Sequence, residues 1–111
     1  MTGTQIMDWQ QLTIYTTEGA RWQHQPLYLA VVERAKAEGL LGAIVTRGIE
    51  GFGPHHAVQT THVLSLSADL PLEIRIIDQT AAIEQFLPLV KEMLQGAMMT
   101  LQDINVVSHS E

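Results

Sequence analysis

Leu12 and Ile14 alternate with Thr13, Tyr15 and Thr16, and the β-branched and aromatic character of residues 12–16 predicts a first strand. Residues 18–24 are polar and include Gly19, so a loop follows. From Pro26 the period changes. Leu27, Tyr28, Val31, Val32 and Ala35 fall on one stripe at helical spacing, while Glu33, Arg34, Lys36 and Glu38 take the other side. Pro26 suits the first turn, where its missing N–H costs nothing, and Gly39 suits the stop. Residues 43–46 predict a second strand, apolar on both faces at Ile44 and Val45. Residues 54–69 hold small polar residues and three histidines, and read as a long loop with a strand-like return, with 58–66 able to extend a hairpin. Residues 72–77 predict a third strand with Leu72, Ile74 and Ile76 on one face. Ile83, Phe86, Leu87, Val90 and Leu94 define a second helix, with Asp78 or Thr80 as its cap and Gly96 as its end. Pro88 inside it deletes the bond to Glu84 and costs about 3 kcal/mol, which apolar packing on both sides offsets. Residues 104–107 supply a short final strand.

The order strand, helix, strand, strand, helix, strand gives two interleaved strand–helix–strand units. The economical solution is a ferredoxin-like βαββαβ α+β sandwich, a four-stranded antiparallel sheet with two helices on one face. Residues 1–111 then form a single domain, with 1–8 as an N-terminal tail and 54–69 as the long loop. The uncovered face sets Tyr15, Ile44 or Val45, and Ile77 among Thr13, Glu73 and Arg75. That mixture is too apolar to stay wet and too polar for a dry core, so packing of sheets in an oligomer is expected.

Composition narrows the function. The six cations, Arg21, Arg34, Lys36, Arg47, Arg75 and Lys91, are scattered through a chain of net charge −6, so no basic patch serves nucleic acid. The absence of cysteine removes disulfides, thiolate metal sites and cysteine nucleophiles. The first residues have neither the charge nor the apolar stretch of a signal peptide, and the longest apolar-rich run, 39–45, is too short for membrane insertion. A cytoplasmic protein is the expectation.

Three segments carry a family likeness. Residues 39–46, followed by Gly51, Phe52 and Gly53, resemble the second strand of PII signalling proteins and the base of their long mobile loop. Residues 25–28, 47–53 and 69–71 resemble still more closely a family of small uncharacterised PII-like proteins. The likeness spans residues 10–107. It implies a homotrimer with its sheets facing the threefold axis and adenine nucleotides held in clefts between subunits. Gly51, Phe52 and Gly53 would form one wall, and the stretch from Gly96 to Thr100 the other, as a glycine-rich turn before the last strand. Glycine suits such a wall because backbone amides without a Cβ can approach an anion closely. The 96–100 stretch has no cation, so Arg47, and Arg21 reaching in from its loop, are the candidates for the ligand's charge. A small ligand, or one with fewer phosphates than ATP, fits this charge best.

The leading expectation is a PII-like sensor that binds a small anionic metabolite, with an adenine nucleotide as the candidate, and meets a protein partner through residues 54–69. Arg47 has a second expectation, pairing with Glu50 or Glu73. An alternative function is a metal-binding trimer using His55, His56 and His62, whose imidazoles suit zinc or copper. No catalytic motif is present, and Glu50 and Glu73 have no spacing that demands an acid–base pair, so an enzyme is not expected.

Overall fold

The computed structural model describes residues 8–48, 50–51, 59–60, 69–94 and 96–108, with the backbone alone for 50, 51, 59 and 60. The chain runs β1 (Trp9–Thr17), β2 (Arg21–Trp22), β3 (Gln25–Pro26), α1 (Leu27–Ala37), β4 (Ala43–Arg47), β5 (Glu50–Gly51), β6 (Gln59–Thr60), β7 (Pro71–Gln79), α2 (Thr80–Lys91) and β8 (Met98–Ile104). The main sheet has the order β4-β7-β1-β8, and every neighbouring pair in it is antiparallel. Each helix therefore links two strands with a third strand between them, which is the interleaved arrangement expected from the sequence. The fold is the ferredoxin-like sandwich.

Period-two alternation sorts the sheet into two faces. Leu12 and Ile14 of β1 and Leu72, Ile74 and Ile76 of β7 are buried beneath the helices. Leu27, Ala30, Val31 and Ala35 of α1 and Ile83, Phe86 and Val90 of α2 complete that core. Pro26 immediately precedes α1 with φ −58°, already set for a helical start. Gly39, at φ +83°, ends the helix: its amide donates to the Lys36 carbonyl and that of Leu40 to the Ala35 carbonyl. This pair of bonds, with a left-handed residue between, satisfies carbonyls that the last turn would otherwise leave free.

Four expectations are corrected. First, neither Asp78 nor Thr80 caps α2. Pairing of Trp9 with Gln79 carries β7 as far as residue 79, which draws Asp78 into the sheet and makes Gln79 the cap position, without a side-chain cap bond. The buried Asp78 carboxylate instead accepts the Leu41 amide through Oδ2 at 3.1 Å and the Gln79 amide through Oδ1 at 2.6 Å. Second, α2 ends at Lys91, with Met93 and Leu94 still buried beyond it, and Gly96 (φ +86°) lies in the following turn. Third, the last strand is residues 98–104 rather than 104–107. Met98 pairs with Tyr15 and Ile104 with Trp9, because the full length of β1 offers an edge to pair with. The stretch from Gly96 to Thr100 is consequently half strand, not a glycine-rich turn. Fourth, residues 21–26 form a hairpin within the expected loop, with Arg21 opposite Pro26 and Trp22 opposite Gln25.

Candidate functional site

The site expected from the sequence centres on the base of the segment between β4 and β7. Register places Arg47 opposite Leu72, and Leu72 opposite Thr16, so the last residue of β4 lies at the same end of the sheet as the exit from β1. Both ladders continue one step past the strands. The Gly48 amide donates to the Pro71 carbonyl at 2.8 Å, and the Glu18 amide donates to the Leu70 carbonyl at 2.8 Å. The returning leg, residues 69–71, thus runs between the outgoing leg at 47–48 and the β1–β2 turn at 18–19.

Side chains close the gap over that returning leg. Arg47 Nη2 lies 3.3 Å from Glu18 Oε2, the two side chains being 60% and 34% exposed. The Gly19 amide donates to Asp69 Oδ1. A Cβ on Gly19 would lie 2.9 Å from that same oxygen, so a larger residue there would push the Asp69 carboxylate aside. Gly48 faces a similar limit, since a Cβ there would meet Pro71 Cγ at 3.0 Å. The result is a neck tied by two backbone bonds, one ion pair and one carboxylate–amide bond.

Of the expected site residues, Arg47 stands at this neck. Among the described side chains its partner is Glu18 and not Glu73, which bonds to Arg75 two residues along the same face, at 2.9 Å; the Glu50 side chain lies outside the described residues. Arg21 belongs to the β2–β3 hairpin, and its Nη2 donates to the His24 carbonyl at 2.8 Å. That bond steadies a turn in which Gln23 and His24 both have positive φ, 49° and 71°. Gly51 pairs with Gln59, which gives the segment a short β5–β6 ladder. Gly96 is an exposed glycine ahead of β8. Phe52, Gly53, His55, His56 and His62 lie outside the described residues, so most of the 51–53 wall and the histidine cluster do too. Among the described residues no group of three or more metal-ligating side chains gathers, and no helix is long and apolar enough to cross a membrane.

Sequence reading missed Glu18, Gly19 and Asp69. The one available signal was a glycine beside an acid directly after a strand, which marks a tight turn without saying what it meets.

The other uncovered region is the second face of the sheet. Tyr15, Ile44, Ile77 and Met98 are 36%, 64%, 38% and 50% exposed there, and Ile44, not Val45, is the residue that faces out. Thr13, although polar, is buried at their centre, beside Arg75 in the register.

Comparison with known proteins matches this geometry. A UPF0166 protein of Aquifex aeolicus is 35% identical over 96 residues, covering 86% of this chain and 90% of that protein. A second UPF0166 protein, from Methanocaldococcus jannaschii, is 32% identical over 85 residues, covering 77% and 78%. Among solved structures, CPII, a nitrogen regulatory PII-like protein from Thiomonas intermedia bound to ADP, AMP and bicarbonate, superposes with TM-score 0.60 at 16% identity, over 95% of this chain and 93% of that one. The fold is therefore PII-like as well as ferredoxin-like. Residues 9–106 match the family DUF190, described as "Uncharacterized ACR". A match of that length, together with relatives more than 30% identical across most of both chains, makes this protein a member of the DUF190 family.

Proposed function

We infer that this chain is a PII-like regulatory protein that works by binding rather than by turnover. Its ligand is a small anionic metabolite, an adenine nucleotide such as ADP or AMP, held at clefts between the subunits of a homotrimer. Residues 54–69 carry the signal to a protein partner. The observation that supports this most is the placement of Arg47. A guanidinium stands at the root of the segment, more than half exposed, and is engaged by the partly buried Glu18 carboxylate. Such a group is accessible to a phosphate or carboxylate, which a planar guanidinium grips through two parallel bonds.

Two further observations fit. The fold is shared with CPII, whose structure was determined with ADP, AMP and bicarbonate bound. The open sheet face has exposed apolar residues around the Glu73–Arg75 pair, a composition suited to burial against sister subunits. A ligand bound between subunits acts by differential affinity: whatever it contacts in only one arrangement of the segment shifts the population toward that arrangement.

The test is calorimetry of the purified protein with AMP, ADP, ATP, cyclic nucleotides and bicarbonate, alongside native mass spectrometry for subunit number. Saturable heat with AMP or ADP from a trimer is the expected result. Absence of heat with every nucleotide removes the nucleotide ligand, and a monomer removes the intersubunit cleft.

A further inference from the structure

Glu18 bridges the two legs of the neck by two different means. Its main-chain amide holds the returning leg at Leu70, 2.8 Å away, and its carboxylate holds the outgoing leg at Arg47, 3.3 Å away. The next residue, Gly19, adds a second tie to the returning leg through Asp69. The returning leg is therefore fixed by backbone geometry that a side-chain movement leaves intact. The outgoing leg has the Gly48–Pro71 bond and an ion pair whose arginine is exposed and whose glutamate is partly so. A pair this accessible to water is weak, because water solvates both charges almost as well as they solvate one another.

We propose that Glu18 is a built-in anionic competitor for Arg47. It occupies the guanidinium when no ligand is bound, and a ligand anion must displace it. This rests on the reading of Arg47 as a ligand-binding cation. Displacement follows from charge. An anion set against Arg47 with the Glu18 carboxylate still in place, and Asp69 holding the adjoining turn, meets repulsion that cancels much of the attraction. Once the Glu18 side chain rotates away, its amide still holds Leu70, so one tie breaks and the other stays. Ligand occupancy thereby removes the side-chain tie on the outgoing leg, while its Gly48–Pro71 backbone bond and that of Glu18 to Leu70 remain. Glu18 sets a threshold rather than a preference: it lowers affinity for every anion, so only ligands with enough further contacts evict it.

The sequence provides a direct readout. Arg47 is the one Lys or Arg between Lys36 and Arg75, so tryptic cleavage at Arg47–Gly48 reads how free that guanidinium is. The experiment compares full-length wild type, Glu18→Gln and, as a control, Glu38→Gln. The control loses an exposed pair with Arg34 on α1 and makes the same change in net charge. Without ligand, Glu18→Gln is expected to be cut after Arg47 about two- to five-fold faster than wild type, the scale of an exposed pair. It is also expected to bind ADP about two- to five-fold more tightly, and saturating ADP should slow cleavage of both forms by occupying the guanidinium that trypsin must take. Glu38→Gln should match wild type in both measurements. Equal cleavage of wild type and Glu18→Gln overturns the proposal, as does faster cleavage with unchanged ADP affinity. If ADP gives no heat with any form, the nucleotide reading fails by itself. Glu18 is then judged by the sodium sulfate concentration that halves cleavage after Arg47, with sodium chloride at equal ionic strength as reference. A concentration about two- to five-fold lower for Glu18→Gln than for wild type supports competition, and equal concentrations overturn it.

Discussion

The two faces of the one sheet are built from alternate residues of the same strands, and they obey different rules. On β7, Leu72, Ile74 and Ile76 point into a core supplied entirely by this chain, while Glu73, Arg75 and Ile77 face away from it. The covered face also includes a charged residue, Asp78, and both of its carboxylate oxygens accept backbone amides. The open face has its own charges, but they bond to one another along the strand and leave four large apolar side chains in water. The covered side is complete within one subunit. The open side has the mixed composition of a surface suited to burial against a partner.

This difference is sharpest where mutations should act. Truncating Ile74→Ala removes a fully buried side chain between the helices and the sheet, and is expected to cost about 2–5 kcal/mol in urea unfolding. A loss below about 1 kcal/mol would mean that the covered face is packed far more loosely than its burial indicates. Next in size is Asp78→Ala. It strands the Leu41 and Gln79 amides in a half-buried setting and should cost about 1–3 kcal/mol. Hydrogen exchange should show the Leu41 amide losing protection while the centre of β7 keeps it. The smallest effect on a single subunit belongs to Ile44→Asp on the open face. At a position this exposed, a change within about 0.5 kcal/mol is expected in the isolated subunit. The same substitution should separate the subunits in native mass spectra and light scattering. Retained assembly would show that the open face is not where subunits meet.

Most of this architecture was legible from periodicity. Leu72, Ile74 and Ile76 announce their shared face, and the stripe from Leu27 to Ala35 announces α1 together with both of its ends. The errors have local causes. The β2–β3 hairpin was hidden because its turn residues are Gln23 and His24, neither of which marks the left-handed conformation they adopt. The start of β8 was hidden because Met98, Met99, Thr100 and Leu101 do not alternate; partnership with β1 makes the strand, not its own pattern. Pairing likewise overrode capping at Asp78. At the neck, Arg47 stood out as a cation ending an apolar strand, but its partner did not. Glu18 meets it only because β7 inserts between β4 and β1, and that is a property of topology. Residues 96–100, expected as a turn, include the start of β8 at Met98.

The strand order also gives the molecule two unlike poles. Trp9 lies opposite Ile104, so the chain enters β1 and leaves β8 side by side. Arg47, Gly48 and the Glu18–Gly19 turn crowd the opposite end of the sheet, a strand's length of about 26 Å away. A fluorophore, affinity handle or fused reporter joined before Trp9 or after Ile104 therefore sits at the far pole from the neck. Tethering the protein to a surface by that pole presents the other one to whatever it meets.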